Sequence, residues 1–329
     1  MHPSLRNIFA CLVSALAVVS AGCGGDDEPS TSGEPPTDAP SAATFPKPAG
    51  GSIDDLIDEV GETNQVVAFP SGAIFEPGKQ RFGFALYDVA GPQIDDADVA
   101  IYFQGQKGGK VEGPYTARTE SLDVQSPYEA DSAVEGDASS VYVADVPLDA
   151  GKYRVAAVVR DDDGDIAATN FQTSIAVGPQ PGIPAENQPA PTVHTPTLDD
   201  VGDVSDIDTR TPPSTMHSDD LADVLGEKPV VLLFATPALC QSRVCGPVVD
   251  VTEQVKSEYG KDVSFIHMEI YEDNQYDPEN PKLRPQVEAF GLPTEPWLFV
   301  IDKDGKVQTR IEGAFSVSEL ENELDSLVG

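Results

Sequence analysis

The 329-residue chain is poor in basic side chains, with 20 lysines and arginines against 56 aspartates and glutamates and a formal charge of −36. A surface of that sign repels phosphate backbones, which excludes nucleic-acid binding, and it offers no basic face for anionic lipid. Cysteine is also scarce at four residues, so the fold is not a disulfide-dense scaffold. The apolar run at residues 8–19 is 12 positions long, too short for a bilayer-spanning helix, which needs about 20. Apolar residues nevertheless reach 40%, enough for ordinary cores. At roughly 100–200 residues per domain, the length suggests two domains.

That short apolar run follows the basic start MHPSLR and leads into Ser20-Ala21-Gly22-Cys23, which is the order of a secretion signal. Followed by the polar stretch GGDDEPS, it resembles a bacterial lipoprotein signal, with Ser20 where leucine is usual. The resemblance implies cleavage after residue 22 and acylation of Cys23. The chain would then sit on the extracytoplasmic face of the cell membrane, anchored through lipid. Cys11 leaves with the signal and Cys23 is blocked. Cys240 and Cys245 remain, separated by four residues in an oxidising compartment, and are meant for each other or for a shared partner.

Residues 23–51 are acidic, rich in Pro, Ser and Gly, and nearly without large apolar groups, so they read as a disordered tether. Ser52 then caps a short helix that aligns Ile53, Leu56, Ile57 and Val60. Up to residue 177 the period is two: Phe82, Phe84 and Leu86 share a face, as do Val99, Ile101 and Phe103, and Tyr153, Val155, Ala157 and Val159. The spacing predicts an antiparallel sandwich of about seven strands over residues 52–177. Leu148, Gly151 and Tyr153 form an L-x-x-G-x-Y run that resembles the turn into a late strand of immunoglobulin-like domains. The run Asp161-Asp162-Asp163-Gly164-Asp165 places its glycine two positions too early for a calcium loop and reads as a hairpin turn. No catalytic constellation lies in this part.

Residues 178–214 are a Pro-rich linker and lead-in, expected to be extended and semi-rigid, with His194 and His217 as linker and loop residues. From 215 to 329, helix and strand alternate. Ser218 is placed as a helix cap, PVVLLFAT as a buried strand, and Pro247 at the start of a helix that presents Val248, Val251 and Val255. Ser316 with Glu319 forms a capping box before Leu320, Leu324 and Leu327.

This order, βαβαββα with both cysteines between the first strand and its helix, resembles the thioredoxin superfamily. DDLADVLGEKPVVLLFATPALCQSRVCGPVVD is similar to the first motif of its TlpA-like and Sco-like members, and FGLPTEPWLFVIDKDGKV to the second. The second motif implies a cis-proline at Pro296. The chain departs from the family in using C-x4-C, in having Leu233 where several members carry a strand acid or amide, and in placing Glu295 before the proline. Glu295 would bring negative charge to the disulfide, disfavour the thiolate and make the pair less oxidising. Sco-like copper binding needs a histidine that GLPTEP lacks, and the peroxidase pattern does not fit Thr236 and Pro237.

The expected fold is therefore an immunoglobulin-like sandwich followed by an α/β thioredoxin-like fold. The expected function is thiol–disulfide exchange through Cys240 and Cys245 with Pro296 beside them, with no metal and no cofactor. Partners would be exported thiol or disulfide proteins or a membrane electron donor; no oligomeric state is assigned. Glu295 and the four-residue spacing leave a second reading, a binding or assembly lipoprotein whose bridge is structural.

Overall fold

The computed structural model of the protein describes residues 35–131, 136–161, 163–240 and 242–328. The signal-like run, Cys11, Cys23, the tether up to residue 34 and Asp162 lie outside the described residues.

Alternating residues build nine strands in the first part: β1 (Val66–Pro70), β2 (Gly78–Asp88), β3 (Gln93–Ile94), β4 (Asp98–Gly105), β5 (Glu112–Ser121), β6 (Ser140–Leu148), β7 (Gly151–Arg160), β8 (Ile166–Asn170) and β9 (Ile175–Val177). Phe82, Phe84, Leu86, Val99, Ile101, Phe103, Val155, Ala157 and Val159 all point into one core, as their alternation predicts. The expected two-sheet immunoglobulin-like sandwich is replaced by a single rolled sheet, ordered β1-β2-β6-β5-β4-β7-β8. The reason lies in β5. Ala117 and the residues before it pair with β4, whereas Arg118–Ser121 pair with β6, so one strand joins both halves. Parallel bridges Glu62↔Ala168 and Ala68↔Phe171 draw the ends together into a near-barrel. Tyr153 closes the β6–β7 turn by donating from its hydroxyl to the Asp149 carbonyl at 2.9 Å. The Asp161–Asp165 run is the β7–β8 turn, closed by Asp161 N–H on the Asp165 carbonyl.

Helix α1 (Ile53–Val60) is capped by Ser52 in a full capping box with Asp55. It covers the outer face of β4 and β7, where Ala100, Tyr102, Ala156 and Val158 form a second apolar cluster with Ile53, Leu56 and Ile57. The later part of the expected tether joins that cluster. Phe45 is buried, the Tyr102 hydroxyl donates to Pro46 O at 2.8 Å, and Thr37 exchanges hydrogen bonds with Thr119. Composition alone misses this, because one phenylalanine on an otherwise polar segment suffices once β4 and β7 present an apolar outer face.

The second part holds α2 (Leu221–Val224), β10 (Val230–Phe234), α3 (Cys245–Tyr259), β11 (Ser264–Met268), α4 (Pro285–Ala289), β12 (Trp297–Ile301), β13 (Val307–Glu312) and α5 (Val317–Val328). The sheet order is β11-β10-β12-β13, with β10 and β11 parallel and the other pairs antiparallel. This is a thioredoxin-like fold in the expected element order. Helices α3 and α5 bury Val248, Val251, Val255, Leu320 and Leu324 on one face of the sheet. The other face takes α4, α2 and the proline-rich segment, through Val287, Leu221, Ile183 and Ala190. Asp220, not Ser218, caps α2, by accepting from the Ala222 N–H.

The proline-rich segment is extended but is no free spacer. Asn187 N–H donates to Val307 O, Val307 N–H to Gln188 O, and Ala190 N–H to Gly305 O. It binds where its own carbonyls and remaining N–H groups meet the open side of β13. The rolled sheet and the α/β part are joined directly as well. Arg81 is bidentate to Glu319 at the start of α5, with both distances 2.7 Å, and Arg118 bridges Glu319 and Glu120. An apolar seam of Leu122, Ala138, Val141, Val143, Val244 and Ala314 runs beside these ions.

Candidate functional site: a disulfide at a helix start

Cys240 and Cys245 form a disulfide with their Cα atoms 5.9 Å apart. After β10 the chain makes a single 3-10 turn (Pro237–Leu239), then a loop in which Arg243 takes φ 61°, and then enters α3 at Cys245. Only such a doubled-back loop brings the two sulfurs together, since five residues along one helix would hold them beyond the roughly 7 Å limit for bridging. The sulfurs differ in access. Cys245 is fully buried among the valines of α3, whereas Cys240 is half-buried and its Sγ lies 3.2 Å from the Ser242 hydroxyl. No side chain caps the first turn of α3, so its N–H groups and the positive end of the helix dipole act on the Cys245 sulfur. That field favours the thiolate when the bridge opens.

The opposing influence comes from across the sheet. The Glu295–Pro296 peptide is cis, and Glu295 Oε2 lies 3.9 Å from Cys245 Sγ. Burial pushes the Glu295 carboxyl up to about 7; a hydrogen bond from the Tyr271 hydroxyl (3.2 Å) opposes this, and the nearby Glu269 carboxyl adds to it. Glu269 is itself buried and raised by desolvation, while accepting from the Thr236 hydroxyl and from Thr209 N–H. The two carboxyls thus stand on the Glu295 side of the disulfide, whereas the strand position expected to carry an acid or amide holds the buried Leu233. Trp297 is buried next in sequence, its indole N–H donating to Thr294 Oγ1 at 3.0 Å.

Sequence reasoning missed a second polar cluster. Asp208, His217 and His267 are all buried, with one potential ligand atom from each lying within 4.8 Å of the others. Asp208 Oδ2 faces Ser214 N–H at 2.7 Å, His217 Nε2 at 2.9 Å and His267 Nδ1 at 3.5 Å. His267 Nε2 also faces the Ala235 carbonyl at 3.0 Å, and its Nδ1 lies 3.3 Å from the Ser214 hydroxyl. Burial would lower its pKa, but the Asp208 carboxylate more than reverses this and holds it at about 9. Asp208 and His267 thus form a buried pair in the core, with His217 on the same carboxylate oxygen. His217, expected in a loop, is thereby part of the core, and its position 50 residues before His267 carries no spacing signal.

No family model matches the chain, and no curated protein matches it. Among solved structures, the chain is similar to a thiol:disulfide interchange protein of the thioredoxin family from Chlorobium tepidum TLS. The identity is 21% over 44% of this chain and 99% of that one, with a TM-score of 0.31. It is also similar to the exposed lipoprotein thioredoxin Etrx1 from Streptococcus pneumoniae strain TIGR4, at 24% identity over 33% of this chain and 91% of that one, with a TM-score of 0.27. The α/β part is thioredoxin-like by its own strand order and by the placement of its two cysteines.

Proposed function

We propose that the protein is a thiol–disulfide oxidoreductase that works through Cys240 and Cys245 and is held by lipid at Cys23 on the extracytoplasmic face of the membrane. The observation that carries this reading is the unequal pair itself, a half-exposed cysteine bridged to a buried one at an uncapped helix start. In the reduced protein, the Cys240 thiolate attacks one sulfur of a partner disulfide and expels the other as a thiolate. The Cys245 thiolate then attacks Cys240 Sγ, releases the second partner thiolate and restores the bridge. Two electrons pass to the partner, an exported protein; the reverse sequence would take them from a partner or from a membrane donor. In this reading Pro296, joined to Glu295 by a cis peptide, lies beside the pair.

The test is the reduction potential of the pair. A value between about −120 and −270 mV places it among working catalysts. A value below roughly −300 mV assigns a structural bridge, and the second reading, a binding or assembly lipoprotein, takes over. That reading draws its support from Glu295 beside Cys245, which resists thiolate formation. A Cys240→Ala/Cys245→Ala variant separates the two in cells, since only a binding protein would keep its effect. Anchoring is checked by Cys23→Ser, which should move the protein from the membrane to the soluble fraction and abolish incorporation of labelled fatty acid.

A further inference from the structure

The outer face of a rolled sheet meets water and is ordinarily polar at every second residue. Where β1 pairs with the end of β2 it is not. Val67 pairs with Tyr87 and Phe69 with Ala85, so these four side chains share one face, while Ala68, Phe84 and Leu86 fill the core behind it. Phe69 stays 45% exposed and Val89, just beyond β2, 55%. They are two of the five exposed large apolar side chains among the described residues. The Phe69 and Tyr87 rings meet edge to face at 6.4 Å. Together with Pro70 these residues form one wall of a groove of about 550 Å³, and Ser242, Arg243 and Val244 of the C-x4-C loop form the other. The groove therefore ends one residue's contact from the disulfide: Ser242 lines it, and the Ser242 hydroxyl sits 3.2 Å from Cys240 Sγ.

We propose that this groove is the docking surface for the partner of the Cys240–Cys245 pair, and that it takes an extended polypeptide segment with apolar or aromatic side chains beside its cysteine. The inference rests on the oxidoreductase reading and gives the rolled sheet a part in it. A mixed disulfide on Cys240 tethers the partner's cysteine at the groove's end, so the residues flanking that cysteine must lie on whatever adjoins Cys240. Past Ser242 and Arg243, the wall those residues would meet is apolar. Arg243 stands at the same end, in a chain whose net charge is −36, so a carboxylate next to the partner's cysteine is better matched there than a lysine. Asp88, the one acid in the lining, is turned into its own loop, where its Oδ1 accepts from Ala90 N–H at 2.6 Å.

The experiment uses peptides carrying a single cysteine linked to 5-thio-2-nitrobenzoate, one with leucine and phenylalanine flanks and one with serine and glycine flanks. The small disulfide 5,5′-dithiobis(2-nitrobenzoate) serves as the reference. The reduced protein should release thionitrobenzoate from the apolar peptide about tenfold faster, as a single-turnover second-order rate constant, than from the polar one. Phe69→Asp and Val89→Asp, both on exposed side chains, should remove that preference and leave the reaction with the small disulfide unchanged. Equal rates for the two peptides, or an apolar preference that survives both substitutions, overturn the proposal. If the protein fails even with the small disulfide, the oxidoreductase reading has failed, and the groove is judged by binding alone. A fluorescent apolar peptide with serine for cysteine should bind the oxidised protein and lose about tenfold in affinity with Phe69→Asp; no such difference overturns the groove. A wild-type dimer in sedimentation that Phe69→Asp dissociates would assign this face to a second copy of the chain, and would overturn the proposal too.

Discussion

Glu295 decides how the cysteine pair responds to pH. Its carboxyl lies 3.9 Å from Cys245 Sγ and titrates near 7, so it is largely neutral at pH 6 and largely charged at pH 8. Charged, it opposes the thiolate that the helix start favours. Glu295→Gln should therefore make the pair more oxidising by tens of millivolts at pH 8, and by much less at pH 6. The potential of wild type and variant across that range checks this, and parallel curves would sink it. The same shift has a stability sign. A carboxyl raised from 4.5 to about 7 keeps its proton in the folded state after the unfolded chain has lost it, so stability falls as pH rises through that window. Glu295→Gln should flatten that fall, which by linkage is at most about 3 kcal/mol. At this scale the sequence is legible where a residue type is rare or motif-bound: Cys240 and Cys245 are the cysteines among the described residues, and Glu295–Pro296 sits inside a recognisable run. Asp208, His217 and His267 are legible in neither way. Their chemistry comes from three distant segments meeting in the core, and nothing in their spacing marks it.

Elements were readable wherever burial is one-sided. The two-residue period of β2, β4 and β7 and the capped face of α1 follow from having one apolar side to hide. The elements that escaped have isolated anchors instead of a period. The tether segment is held by the single buried side chain of Phe45 and by the Tyr102 hydroxyl on Pro46 O, and the proline-rich stretch along β13 by backbone carbonyl and N–H groups with Ile183 and Ala190 buried. The loop from Ser71 to Phe75 is a third case. It reaches the turn after β13, where Glu312 accepts from the N–H groups of Ala73 and Ile74 at 2.9 and 2.8 Å. There Gly313 has φ +83°, and a Cβ on it would lie 2.2 Å from Ser71 O. Gly313→Ala should thus cost about 2–4 kcal/mol, part from the left-handed backbone and part from forcing the loop away. Urea unfolding measures this, and a loss below about 0.5 kcal/mol would mean that the contact between loop and turn is slack.

At the scale of the whole molecule, the length and the composition break near residue 178 suggest two bodies on a linker, yet the contacts among the described residues join both sides of that break into one unit. Arg81, Arg118, Glu120 and Glu319 form a partly buried network between the rolled sheet and α5, with Ser316 Oγ donating to Glu120 Oε2 at 2.6 Å. A second clasp, Arg210 with Asp250, also binds Tyr128 O and Ala130 N–H. Each of these side chains looks like ordinary surface charge in the sequence, and only their meeting across an apolar seam makes them an interface. Removing one partner of such a pair strands a buried charge and typically costs about 3–5 kcal/mol. The two parts should therefore unfold together. Trp297 is the sole tryptophan and lies in the α/β part, so its fluorescence reports that part, while tyrosine near-UV absorbance is weighted to the rolled sheet, whose strands carry Tyr87, Tyr102, Tyr115, Tyr142 and Tyr153. The two probes should give one coincident denaturation curve in wild type, and in Glu319→Ala a curve moved to lower denaturant. Two separated curves in wild type would mean that the network does not couple the parts. A groove with one wall on each part would then have no fixed width, and the docking surface would fall with the coupling that holds it open.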